Sequence, residues 1–99
     1  MNSKKIRWSK VYESSEEELL EFFKNRGIHA RRISTDEAGE TLQQTAKLDA
    51  TVWCAEGSLS VRTGTDSTSL QPGDAMHIPA QMPYELHAGL TGYVCYISD

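Results

Sequence analysis

The chain predicts an all-β fold, an antiparallel sandwich or barrel, with one short α-helix ahead of it. Three observations carry that prediction. From residue 51 onward, short apolar-rich runs are separated by Gly64-Thr65-Asp66, Gln71-Pro72-Gly73-Asp74, the Pro79–Pro83 stretch and Gly89-Leu90-Thr91-Gly92. Turn signals at that spacing mark successive strands of an antiparallel sheet. Leu19, Phe22 and Phe23, with Leu20 beside them, form an apolar stripe at helical spacing. With 99 residues, 38% hydrophobic and 24% charged, the chain has the size and balance of one folded domain with one core.

Taken in order, residues 5–13 (Lys-Ile-Arg-Trp-Ser-Lys-Val-Tyr-Glu) partly alternate, with Ile6 and Trp8 on one parity, and predict a short strand. Ser15 followed by Glu18 fits a capping box, and the acidic first turn suits the positive end of the helix dipole. Lys24 and Arg26 suit the opposite end, and Gly27 is a natural stop, so the helix is expected over 15–26. Its stripe is expected to pack on the outside of the sheet or in a dimer, because a helix this short draws its stability from packing. Ala30–Ser34 predicts a strand, Asp36–Glu40 a turn, and Thr41–Ala46 a lead-in strand. Further strands are expected at about 51–63, 67–71, 75–78, 84–88 and 92–98. No internal repeat or low-complexity tract interrupts the series.

The stretch from Gln71 to Tyr84 is the most specific. Pro-Gly-Asp makes a tight turn, the Ala75–Ile78 run is short and apolar, and Pro79 ends it by removing a backbone donor. Gly73, five residues, Pro79, then a polar turn into Pro83-Tyr84 resembles the second motif of the cupins. Upstream, Val52-Trp53-Cys54-Ala55-Glu56-Gly57-Ser58-Leu59-Ser60-Val61 resembles the strand, Glu-Gly, strand that closes the first cupin motif. The resemblance covers residues 42–98 and implies a single cupin domain over 1–99. Residues 1–41 then supply the first strand, the helix and the lead-in. The implied fold is an antiparallel, jelly-roll-like β-barrel.

The family usually holds a metal inside that barrel on two His, a Glu and a third His. Matched residue by residue, those positions are Gln44, Ala46, Ala50 and Tyr84. Two alanines offer no donor, and a transition ion wants imidazole or carboxylate. The resemblance therefore implies the fold without its usual activity: no metal, no cofactor and no catalytic residue. Because side chains alternate along a strand, Val52 and Cys54 are expected to face inward with Ala50, and Leu86 with Tyr84. Trp53, Glu85 and His87 are expected to face outward. The predicted lining is thus Gln44, Ala46, Ala50, Val52, Cys54, Tyr84 and Leu86, with His77 as a further candidate whose face the sequence leaves open. Few polar groups on an apolar wall suit a small-molecule site; a packed core has the same composition.

Net charge is −4, and nine of the ten Lys and Arg lie in residues 1–50, leaving Arg62 alone among five acids in 51–99. An acidic barrel half is ill suited to phosphate backbones, so nucleic acid is not an expected partner. The start, Met1–Trp8, lacks the apolar core of a secretory signal, and no run approaches the roughly 20 residues of a membrane span, so a cytoplasmic location is expected. Cys54 and Cys95 read as buried free thiols; a disulfide would require adjacent strands and an oxidising compartment. Three function classes remain. The chain could be a metal-independent small-molecule binding, sensing or accessory module. It could be an oxygenase- or isomerase-type enzyme with an unconventional site on Gln44, His77 and Tyr84. Or it could be a dimerisation module, since Trp8, Trp53, Tyr93 and Tyr96 are many aromatics for one small barrel to hide. The first, as a homodimer, is the expectation.

Overall fold

A computed structural model of the protein describes residues 5–7 and 16–98. Its elements are β1 (Lys5–Arg7), α1 (Glu16–Arg26), β2 (Arg31–Thr35), β3 (Thr41–Thr45), β4 (Ala50–Thr63), β5 (Asp66–Leu70), β6 (Asp74–Ile78) and β7 (Pro83–Ser98). Every pairing is antiparallel, in the order β1-β6-β4-β7-β2, with β3 also on β7 and β5 also on β4. The rest of the expected first strand, Trp8 and the Ser15 cap lie outside the described residues.

The long strands β4 and β7 form the spine. Thr51–Cys54 pair with Cys95–Ser98, and Leu59–Arg62 pair with Glu85–Ala88, with register shifts at Cys54/Glu56 and Gly57/Leu59 between them. Extra residues of this kind bend and twist a strand. Gly57 (φ 73°) and Gly92 (φ 75°) meet at the bend, where a Cβ on Gly57 would strike the Gly92 carbonyl. The stretch Gly89–Gly92, expected as a turn between two strands, is instead a bend inside one 16-residue strand. Glycine serves a turn and a bulge equally well, so the residues alone did not distinguish them.

The bend folds the sheet over itself. One apolar cluster takes Val52, Cys54, Cys95 and Ile97 from one half and Leu59, Val61 and Leu86 from the other. This is the jelly-roll-like barrel that the family resemblance implies, although hydrogen bonding among the described strands does not close it. Among the described residues β3 pairs with β7 and β5 with β4, and no strand joins those two edges.

A second cluster lies outside, where Leu19 and Phe23 of α1 cover Trp53, Ala55, Ala75 and Tyr96. Phe23 packs edge-on to Trp53 at 5.2 Å and to Tyr96 at 5.6 Å between ring centroids. At the C-terminal end of the helix, Ile28 N donates to Phe23 O (2.9 Å) and Gly27, at φ 65°, to Lys24 O (3.4 Å). That pair is the glycine stop the sequence predicts. At the other end Glu16 accepts from Tyr96 Oη at 2.5 Å and from Arg32 Nε at 2.6 Å. These bonds, Tyr96 first and Arg32 second, hold the Glu16 carboxyl below its usual range. Burial, then the same carboxylate, pushes the Tyr96 phenol up to about 12. Trp53 points out of the interior, as its parity predicts, and is 7% exposed. The cover that could have come from a second subunit comes from the chain's own helix. No helix among the described residues is long and apolar enough to cross a membrane.

Candidate functional site: the rim of the folded sheet

The positions singled out by the sequence converge at one end of the fold, where β3 ends, β4 begins, β6 ends and β7 begins. Two loops meet there and fix Ala46. Ala46 N donates to Met82 O (3.2 Å), Gln81 N to Ala46 O (2.5 Å), and Ala80 N to the Asp49 Oδ1 (2.9 Å). Gln81 takes φ 67° to make this clip, an uncommon conformation for a side-chain-bearing residue. Gln44 and Tyr84 are direct partners across β3 and β7, which brings the two non-alanine positions of the predicted set side by side.

Parity holds throughout the expected lining. Ala46, Ala50, Val52, Cys54, Tyr84 and Leu86 are all buried in the interior cluster, while Gln44 is half-buried at its edge. Val52, Cys54 and Leu86 are 0% exposed and pack with Met76, Val61 and Leu70. The deep part of the predicted lining is therefore core. An open groove of about 720 Å³ runs over the rim onto the outer face, walled by Gln44 and Tyr84 and by the outward-facing Gln43, Glu85 and Arg62.

His77 departs from this arrangement. Met76 and Ile78 point inward, so His77 lies on the outer face, with a side chain 50% exposed and 3.9 Å from Asp49. It does not join Gln44 and Tyr84, and the unconventional ligand set of those three is not assembled. The flanking apolar residues gave no parity signal, because Ala75 also is buried, on the helix side. His87 points outward as predicted. Its Nδ1 lies 3.0 Å from Thr41 Oγ1 and its Nε2 3.2 Å from Glu85 Oε1. Glu85 also accepts from Gln43 Nε2 at 3.1 Å, and these bonds, Gln43 first, hold its carboxyl below the usual range.

The donor set does not fit a metal. Ala46 and Ala50 present methyl groups, both nearby histidines face away, and among the described residues no three His, Cys, Asp or Glu side chains gather. The thiols are equally unsuited to chemistry. Cys54 and Cys95 are direct partners on adjacent strands, both free and 0% exposed, and burial pushes both up to about 12. A nucleophilic cysteine needs the opposite shift.

The sequence reading missed one rim residue, Arg31. It aligns with Ile97, in step with Ile33 opposite Cys95, and so stands on the interior side of β2. Its Nη2 donates to Gln44 Oε1 at 3.2 Å. Side by side, Arg31 and Arg32 look like a solvated edge, and only the pairing with β7 reveals which of the two turns inward.

No family model and no curated protein matches the sequence. Solved structures do. The chain is similar to a cupin superfamily protein from Desulfitobacterium hafniense, with 11% identity over 98% of this chain and 75% of that one, and a TM-score of 0.63. It is similar to a DUF861 family protein from Thermotoga maritima at 12% identity, over 97% of both chains, with a TM-score of 0.61. A putative ethanolamine utilization protein Q from Salmonella typhimurium matches at 18% identity, over 97% of this chain and 68% of that one, with a TM-score of 0.60. At such identities the likeness concerns the fold.

Proposed function

From a cupin fold whose family ligand positions lack the usual imidazole and carboxylate donors, we propose that this protein is a metal-independent small-molecule binding module, serving a sensing or accessory role. One observation carries the reading. At the positions where the family resemblance implies metal ligands stand Gln44, Ala46, Ala50 and Tyr84, and the alanines, 3% and 2% exposed, offer no lone pair. The same rim offers what ligand recognition needs: an open groove with Tyr84 and a few fixed polar groups on its walls. Homodimerisation stays within the proposal and rests on the outer edges of β3 and β5, which no strand among the described residues pairs, since Trp53 no longer calls for a partner.

The test pairs two measurements on untagged protein purified without chelators. Elemental analysis is expected to give well under one equivalent of iron, manganese, zinc or copper per chain. A thermal-shift screen of small metabolites is expected to raise the melting temperature, because a ligand selective for the folded state stabilises it. Near-stoichiometric metal lost on replacing Tyr84 with Phe would overturn the reading in favour of an enzyme. Sedimentation at micromolar concentration is expected to show a species twice the 11.1 kDa chain mass.

A further inference from the structure

Arg31 and Arg32 are adjacent in β2 and face opposite ways. Arg32 aligns with Tyr96 on the helix side, and its Nε lies 2.6 Å from Glu16 Oε2. Arg31 faces the interior side, where its partner is the neutral amide of Gln44. Among the described residues no carboxylate pairs with it. The other guanidinium at this end, Arg62, lies 3.9 Å from Glu85. One guanidinium thus sits at the edge of an apolar interior with no compensating anion from the described chain.

We propose that Arg31 and Gln44 form the recognition point for the carboxylate of a small organic acid. This rests on the reading of the rim as a ligand site and names the ligand's chemical class. A guanidinium presents parallel N–H donors in a fork that matches the two oxygens of a carboxylate. The Gln44 carbonyl is already engaged by Arg31, which orients the amide and leaves its NH₂ to donate to the same anion. A single cation balances a monocarboxylate, whereas a phosphate dianion would call for more. The open groove beside Gln44 and Tyr84 gives room for the remainder of a small organic acid. Arg31 is exposed, so the attraction is screened by salt and the affinity is modest.

The probes are propionate, butyrate and benzoate, each with its matching primary amide, titrated into ¹⁵N-labelled protein and followed by NMR. The carboxylates are expected to shift the Arg31 Nε–H and Gln44 side-chain resonances, with the amides bound at least about tenfold more weakly, as fits loss of a charge-assisted hydrogen bond. Raising salt is expected to weaken carboxylate binding. Arg31→Gln is expected to weaken it by about tenfold or more with the remaining spectrum unchanged, and Gln44→Leu to a smaller extent. If amides and carboxylates shift these resonances equally and Arg31→Gln changes neither, the carboxylate proposal is overturned while the small-molecule reading stands. If none of the six probes perturbs the rim, the carboxylate proposal falls. The metabolite thermal-shift screen then decides the broader reading separately.

Discussion

Strands β4 and β7 each pass through two environments, and their outward faces differ completely between them. In the half beside α1, the outward residues are Trp53 and Ala55 of β4 and Val94 and Tyr96 of β7, all packed in the helix-covered cluster. In the half beside β3 and β5, they are Ser60 and Arg62 of β4 and Glu85 and His87 of β7, and no helix among the described residues covers them. The inward faces are apolar in both halves. The strands therefore change from buried on both sides to buried on one, and the change falls at the bulged bend around Gly57. A strand's composition reports how many layers lie over it, and this chain changes that number within a single strand.

The contrast can be broken most severely from the covered side. Replacing Phe23, 5% exposed between Trp53 and Tyr96, with Ala is expected to destabilise by about 3 to 4 kcal/mol in urea denaturation, from lost burial plus the cavity left behind. Phe22, half-buried with the Arg26 guanidinium over its ring at 3.9 Å, should respond less to the same change, by about 1 to 2 kcal/mol. Equal effects would mean the helix is rotated from the orientation described.

Tyr96→Phe tests the polar clamp at the head of the helix. It is expected to destabilise by about 1 to 2 kcal/mol, since it removes a hydrogen bond to a carboxylate. The pH dependence has two signs. Glu16 titrates low in the folded state, so its contribution is present above the unfolded carboxylate range and is lost as pH falls through its folded value. Tyr96 is raised to about 12, so its contribution is complete below about 10, the unfolded value, and disappears as pH climbs from there to about 12. The phenylalanine variant is expected to lose less stability than the parent over both windows. A difference between the two proteins that stays constant with pH would refute the clamp.

The smallest effects belong to the bare face. His87→Ala and Glu85→Ala, made singly, are each expected to move the melting temperature by no more than about 2 °C, as is usual for exposed polar networks. A larger loss would show that something covers this face, and would erase the contrast.

The same contrast explains what the sequence disclosed. The Leu19/Phe23 stripe, the inward parity of Ala50, Val52 and Cys54, and the outward parity of Trp53, Glu85 and His87 were all legible, because alternation and helical periodicity act over neighbouring residues. His77 was not, since its strand has a layer on each side and Met76 and Ile78 therefore carry no more signal than Ala75. Nor was Arg31, whose inward position is decided by alignment with Ile97, 66 positions later in the chain. The rim was half legible for that reason. Its β3, β4 and β7 residues follow from local pattern, and its cation comes from a strand whose face is set at long range.

The central position of β7 has a consequence for how the molecule is assembled. It follows every other described strand in chain order, yet β2, β3 and β4 all hydrogen-bond to it. On the ribosome, these three can complete neither their pairing nor the enclosed core until residues 83–98 have emerged. Contacts so distant along the chain form slowly, on the millisecond-to-second scale typical of β-sandwiches, and until then the apolar faces of β4 and the open edges of β2 and β3 stand exposed. The nascent chain thus passes through its most aggregation-prone state just before β7 arrives, and a chaperone that shields β4 during that interval would act at the point of greatest need.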